Sequence, residues 1–212
     1  ASVFWAIERS SGRTVALKVV DLGKLSAAGV GEERLRREVA LHRSLAHERV
    51  VACYDAFETS REDCVRLLDE AAAGEGEGEG DAGDAGGGGE RYAVLVLEYC
   101  GGGDLRDLVR RLGRVPEGVA RGVLRQVCEG LAYLHDRCGV AHRDLKLSNV
   151  LLCEPLGPDG RGPVRAKLCD FGVAGDLGGG AERFTLCGTP NYIAPEIVAG
   201  VSPQASSVDL WS

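Results

Sequence analysis

The stretch His142-Arg143-Asp144-Leu145-Lys146-Leu147-Ser148-Asn149 decides how this chain is read. It sets an aspartate, a lysine and an asparagine close together between a long helical pattern and two short apolar runs. Upstream, residues 116–137 carry Ala120, Val123, Leu124, Val127, Leu131 and Leu134 as a broad apolar stripe. That pattern predicts a core helix, with Pro116 tolerated in its first turn. Residues 104–112 read as a shorter helix capped by Asp104, directly after Gly101-Gly102-Gly103. Downstream, 150–153 and 166–169 are short apolar pieces, and a long irregular segment then runs to Glu196.

The chain before this stretch has a different character. Residues 1–7 and 14–20 are β-branched or apolar runs separated by Ser10-Ser11-Gly12, the pattern of a hairpin. Charges are dense in 31–45, but Leu35, Val39, His42 and Leu45 fall on one face, which predicts an amphipathic helix. Residues 50–57 and 92–98 read as two further strands. Between them, 71–90 is built of Gly, Glu, Asp and Ala, with too few apolar side chains to offset the entropy of ordering. A disordered insertion is expected there. The fold class is α+β, a small mostly β half followed by a larger helical half, with no internal repeat.

Composition narrows the function classes. At 212 residues and 44% hydrophobic the chain can bury a core. No apolar run approaches the roughly 20 residues that span a bilayer, and residues 1–9 lack the order of a signal peptide, so no membrane partner is expected. A net charge of -7 argues against nucleic acid held through its phosphates, although much of the acid sits in one segment. The eight cysteines include no C-x-x-C pair and read as reduced, intracellular, cytoplasmic thiols. The sequence contains no methionine, and residues 208–212 look like the opening of an apolar helix. Both termini therefore read as cuts in a longer protein.

Further motifs flank the opening stretch. Val15-Ala16-Leu17-Lys18 lies on the second predicted strand and Glu38 on the amphipathic helix. Asp170-Phe171-Gly172 follows a short apolar run, and Ala194-Pro195-Glu196 closes the irregular segment. In this order and context, the chain resembles the catalytic domain of eukaryotic-type serine/threonine protein kinases over nearly its whole length, insertions apart. The resemblance implies a two-lobed protein kinase fold: an N-lobe over 1–97 with the insertion at 71–90, a hinge at 98–101, and a partial C-lobe over 102–212 with its activation segment at 170–196.

Moving a phosphoryl group requires that ATP be held, its charge neutralised and a hydroxyl pointed at the γ-phosphorus. The resemblance implies that Lys18 meets the α and β phosphates and that Glu38 fixes its ammonium. Asp170 and Asn149 are hard oxygen ligands that suit Mg2+. By the same resemblance Asp144 would orient or accept the substrate hydroxyl, and Lys146 would steady the transferred phosphate. The same resemblance implies that Val3, Ala16 and Leu151 line the adenine slot, that Leu97 stands at its back, and that the backbone of Glu98 and Cys100 bonds the base. Lys146 and Gly188-Thr189-Pro190 imply protein substrates with Ser/Thr acceptors. Arg143 is the residue that a phosphorylated Thr185 would engage, an implied switch. Read singly, Lys18 and Glu38 are a surface lysine and a helix glutamate, Asp144 a turn aspartate and Thr185 a loop hydroxyl; their company changes that reading.

The run Thr185-Leu186-Cys187-Gly188-Thr189-Pro190-Asn191-Tyr192-Ile193-Ala194-Pro195-Glu196-Ile197 and Leu147-Ser148-Asn149 are similar to polo-like kinases. Ala1-Ser2-Val3-Phe4-Trp5-Ala6 and 95–100 look most like the centriole-duplicating branch. A role in cell division, and a centrosomal or centriolar location, are implied by the resemblance alone. Gly78-Glu79-Gly80-Asp81-Ala82-Gly83 fits G-x-G-x-x-G, but its carboxylates would repel ATP, so it is no phosphate loop. The family's Gly-rich loop would precede Ala1, and its central helix would continue past Ser212, where Asp209 matches the aspartate that anchors the catalytic loop. Residues 1–212 alone are therefore expected to fold poorly and transfer little phosphate. The alternative is a pseudokinase scaffold that binds partners without catalysis; against it, Lys18, Glu38, Asp144, Asn149 and Asp170 all stand. A small-molecule kinase would lack the segment 189–196.

Overall fold

Alternation along two neighbouring strands builds the first half of the molecule. The computed structural model describes residues 1–27, 31–72, 91–177, 189–200 and 206–212. Strands β1 (Ser2–Ile7), β2 (Thr14–Asp21), β3 (Cys53–Ser60) and β4 (Arg91–Glu98) form an antiparallel sheet in the order β1-β2-β4-β3. Successive side chains point to opposite faces. Val15, Leu17 and Val19 therefore share one face with Ala6 and Val94, while Ala16, Lys18 and Val20 share the other. Helices α1 (Leu22–Ala27) and α2 (Glu32–Ser44) cover part of the second face, burying Leu22 and Leu35 with Val20 and Ala93. The first face is sealed by α3 (Arg61–Ala72), which inserts Cys64 and packs Leu68 against it.

Neither α1 nor α3 is legible in the sequence. Helix α1 spans six residues, less than two turns. Among its described side chains the inward side of α3 shows Cys64 and Leu68, two positions one turn apart, while Val65 and Leu67 face outward and blur the period. The expected insertion at 71–90 begins inside α3, which runs through Ala72; residues 73–90 lie outside the described residues.

By backbone proximity the chain forms two units, Ala1–Ser44 with Ala52–Tyr99, and Leu45–Val51 with Cys100–Ser212. In the second, α4 (Leu105–Leu112) is capped as expected: the Asp104 carboxylate accepts from the Asp107 N–H. The preceding glycines form a turn laced to β6 (Val150–Leu152), with the N–H groups of Gly101 and Gly102 donating to Cys153 O and Leu152 O. A Cβ on Gly102 would fall 2.3 Å from Glu154 O, and Gly103 adopts φ +73°. Both positions therefore require glycine.

Helix α5 (Glu117–Ala132) is followed by a π-helical turn at Tyr133–Arg137. Its buried face is Val119, Val123, Gln126, Val127, Gly130 and Leu131, so the predicted stripe is corrected by a rotation: Ala120 and Leu124 face outward, and Leu124 is 63% exposed. The cause is Gln126. Buried, it donates to Gly122 O and Val164 O and accepts from Ala166 N–H, so a polar residue belongs to the inner face. Pro116 is the N-cap rather than a first-turn residue.

Strand β6 pairs with β7 (Ala166–Leu168), and β5 (Val140–Ala141) with β8 (Gly175–Asp176). Residues 45–51 join this unit because they dock on α5 and β7. Leu168 donates to Arg49 O, Val51 donates to Leu168 O, His47 stacks on Tyr133 at 4.6 Å, and Arg49 pairs with Glu129 at 2.8 Å. Short helices α6 (Pro195–Val198) and α7 (Ser207–Trp211) complete the described chain. No described helix is long and apolar enough to cross a membrane.

Candidate active site

The opening stretch is held from beneath by one buried carboxylate. Asp209 of α7 is 2% exposed. It accepts the N–H of His142 at 2.8 Å and of Arg143 at 2.7 Å, and meets His135 Nε2 at 2.8 Å. Three donors around one carboxylate compensate its burial. His142, fully buried, donates from Nε2 to Cys169 O at 3.0 Å, since a carbonyl can only accept. Its Nδ1 is then the acceptor that faces the Asp144 N–H at 3.4 Å. Its ring packs on Phe171, itself 1% exposed.

Above this base the chain turns sharply. Arg143 adopts φ +66°, a left-handed conformation uncommon outside glycine and retained where surrounding structure over-determines it. Buried His142 and Leu145 flank the turn, and Asp144 between them is partly open. Lys146 Nζ meets Asp144 Oδ2 at 2.7 Å, and Asn149 Nδ2 donates to Asp144 O at 2.9 Å and Oδ2 at 3.2 Å. Thr189 donates from Oγ1 to Asp144 Oδ1 at 2.7 Å and from its backbone N–H at 2.9 Å, while Lys146 also donates to Thr189 Oγ1 at 2.8 Å. Three residues thus fix one carboxylate. Sequence reading used Thr189 only as a marker of acceptor class and overlooked it as part of this cluster; its distance of 45 residues from Asp144 hides the contact.

The remaining residues of this unit follow from strand pairing. The Cys169 N–H donates to Asn149 O at 3.0 Å, which brings the end of β7 beside Asn149. Asp170, next in sequence, is exposed and adopts φ +64°. Because the Nδ2 end of Asn149 is committed to Asp144, Oδ1 is the atom it could offer a cation. An exposed carboxylate and an amide oxygen are hard donors that fit Mg2+ with its own waters and phosphate oxygens. Among the described residues no group of three His, Cys, Asp or Glu could hold a metal by itself. The Arg143 guanidinium lies against Gly175, where a Cβ would come within 2.2 Å of Nη1. Thr185 lies outside the described residues. Leu151 is half-buried on β6, and Cys100 is half-buried at the start of this unit.

In the sheet unit, Lys18 Nζ meets Glu38 Oε1 at 2.9 Å, with the two side chains 20% and 12% exposed. A partly shielded pair of this kind is screened less than a surface one. Register puts Val3 opposite Lys18, and Leu97 opposite Ala16. Val3, Ala16, Lys18 and Leu97 therefore share one face of the sheet. The Glu98 N–H donates to Ala52 O, and its carboxylate accepts the Ala52 N–H at 3.1 Å. Of the residues singled out in the sequence, those described fall into two groups, one in each unit.

Comparison with known proteins adds to the geometry. The family model described as "Protein kinase domain" matches residues 1–212. The chain is similar to the "Probable cell cycle serine/threonine-protein kinase CDC5 homolog" of Encephalitozoon cuniculi, at 34% identity over 97% of this chain and 35% of that protein. It is also similar to "Probable serine/threonine-protein kinase fhkC" of Dictyostelium discoideum, at 30% over 100% of this chain and 30% of that one. "Serine/threonine-protein kinase PLK4" of Xenopus tropicalis is 34% identical over 100% of this chain and 18% of its own length. The chain thus spans only a minor part of each of these relatives.

Proposed function

We propose that this chain, which belongs to the protein kinase domain family, transfers the γ-phosphate of ATP to serine and threonine hydroxyls of proteins. The observation that carries the reading is the Asp144 carboxylate fixed by Lys146, Asn149 and Thr189. A carboxylate held in one orientation can accept or align the acceptor hydroxyl, and orientation supplies much of the catalysis in phosphoryl transfer. Lys146, tied to both Asp144 and Thr189, stands ready to steady the transferred group. Thr189 in this cluster supports a serine or threonine acceptor.

Lys18, its ammonium fixed by Glu38, supplies positive charge to the α and β phosphates. Asp170 and Asn149 would hold Mg2+, which when bound neutralises charge on the phosphate oxygens. Val3, Ala16, Leu97 and Leu151 present apolar surface to adenine. The Glu98 N–H is already donated to Ala52, so Glu98 reaches the base through its carbonyl. Cys100 contributes backbone groups.

Regulation by phosphorylation of Thr185 is part of the same reading. Arg143 directly precedes Asp144, and a guanidinium pairs with phosphate bidentately. A polo-like assignment, with a role in cell division or centriole duplication and a cytoplasmic or centrosomal location, draws support from the activation-segment resemblance and from similarity to a relative named for the cell cycle.

The test is transfer of labelled γ-phosphate from Mg-ATP to a serine/threonine-rich protein, by the full protein beside its Asp144→Asn variant. Transfer that disappears in the variant supports the enzyme and the role of Asp144. Equal background signal from both, in folded protein, moves the reading to a scaffold.

A further inference from the structure

The helix that carries Glu38 has little apolar purchase on the sheet. Helix α2 buries only Leu35 and His42. Between it and strands β3 and β4 runs a groove of about 370 Å³, lined by Val39, Ala40, Phe57 and Leu95 among others. Packing that leaves such a space constrains a helix weakly, because lining atoms lack partners on one side. At the other end of α2 an exposed pair, Arg43 with Asp55 at 3.6 Å, reaches β3.

At the N-terminal end, charges close a ring across three elements. Arg91, the first residue of β4, pairs with Glu58 of β3 and meets Glu32 of α2 at 3.6 Å. Arg36, one turn along α2, reaches Glu32 at 3.5 Å and Glu58 at 3.7 Å. Each cation is thus shared between both anions. The hydrogen bond from Arg91 is the main cause that holds the Glu58 carboxyl below its ordinary range, and Arg36 adds to it. A lone exposed pair contributes little; networks are the exception.

We infer that Arg91, acting through Glu58 and Glu32, is a positioning residue for the Lys18–Glu38 pair. It fastens the first turns of α2 to the strand beside β2, so that Glu38 stays within reach of Lys18. The inference rests on the kinase reading of Lys18 and Glu38. It assigns a catalytic consequence to surface charges that touch neither ATP nor acceptor, and it makes the pair sensitive to ionic strength.

The test compares Arg91→Gln, Glu58→Gln and Arg91→Lys in the full protein, each with and without Glu38→Gln. Phosphoryl transfer and hydrogen exchange of the α2 amides are both read. Arg91→Gln and Glu58→Gln are expected to lower kcat/KM for ATP by about 2- to 5-fold. Arg91→Lys should recover most of the loss at low salt, the α2 amides should exchange faster in the Gln variants, and neither should reduce transfer further once Glu38 is Gln. A merely structural role would give the same loss in both backgrounds; that result, or unchanged α2 exchange, overturns the inference. Asp144→Asn, run alongside, separates the two readings. Equal transfer by it and the wild type removes the kinase assignment and this inference with it. Loss in Asp144→Asn with no change in either Gln variant overturns the inference alone.

Discussion

Beneath Asp144, several polar groups are buried and matched: Asp209 accepts from two backbone N–H groups and meets His135, His142 bridges to Cys169, and buried Phe171 packs on the His142 ring. Around Glu38 the helix leaves a groove, and its ends are tied by exposed ion pairs. Buried, satisfied groups have few alternative arrangements, because moving one strands its partner at the full cost of desolvation. Exposed pairs exchange for water at little cost. The difference teaches that the loop around Asp144 is built to stay, while the helix bearing Glu38 is held by contacts that salt and charge weaken.

The sharpest way to break this contrast is Asp209→Ala. It leaves two backbone N–H groups and His135 without their acceptor, and is expected to cost about 3–5 kcal/mol, as for other broken buried charge clusters. Denaturant unfolding measures the cost, and transfer should fall with it. A loss below about 1 kcal/mol would mean that the loop is held by something else.

A second prediction sharpens the picture of α5. Leu131, 4% exposed, and Leu124, 63% exposed, lie two turns apart along the same side of the helix, yet only the first is covered. Leu131→Ala should cost about 2–5 kcal/mol, whereas Leu124→Ala should stay within about 0.5 kcal/mol. Similar values for both would restore the original stripe.

The smallest effect concerns the sheet's outer face. Burial pushes the Cys64 thiol above its ordinary value of 9.0. The folded state then keeps a proton that the unfolded chain has lost. Stability should therefore fall as pH rises from about 9 through the raised value. The slope in that window should be shallower in Cys64→Ala, as urea midpoints would read. Equal slopes would mean that α3 leaves Cys64 open to water.

Much of this was legible in the sequence, for identifiable reasons. Alternation in 14–20 and the turn at 10–12 locate the hairpin, and Asp104 after three glycines locates a cap. The pairing of Lys18 with Glu38 was expected from motif context and appears at 2.9 Å. Helix α3 escaped because Val65 and Leu67 face outward beside inward Cys64 and Leu68 and blur its period, and the phase of α5 slipped because an inward glutamine reads as polar and an outward leucine as core. Thr189 joined the Asp144 cluster only through a contact across 45 residues.

By itself the sequence determined the family to which the chain belongs, since Lys18, Glu38, Asp144, Asn149 and Asp170 stand in motifs whose order and local setting are written in the chain. The α+β class followed from periodicity, which is a local property. Only the tertiary structure decided which oxygen of Asp144 meets which partner, which glycines cannot bear a Cβ, and that Arg91 and Glu32 share a network with Glu58. Those facts depend on distances between residues far apart in sequence, set when side chains compete for the same buried volume or the same counter-charge.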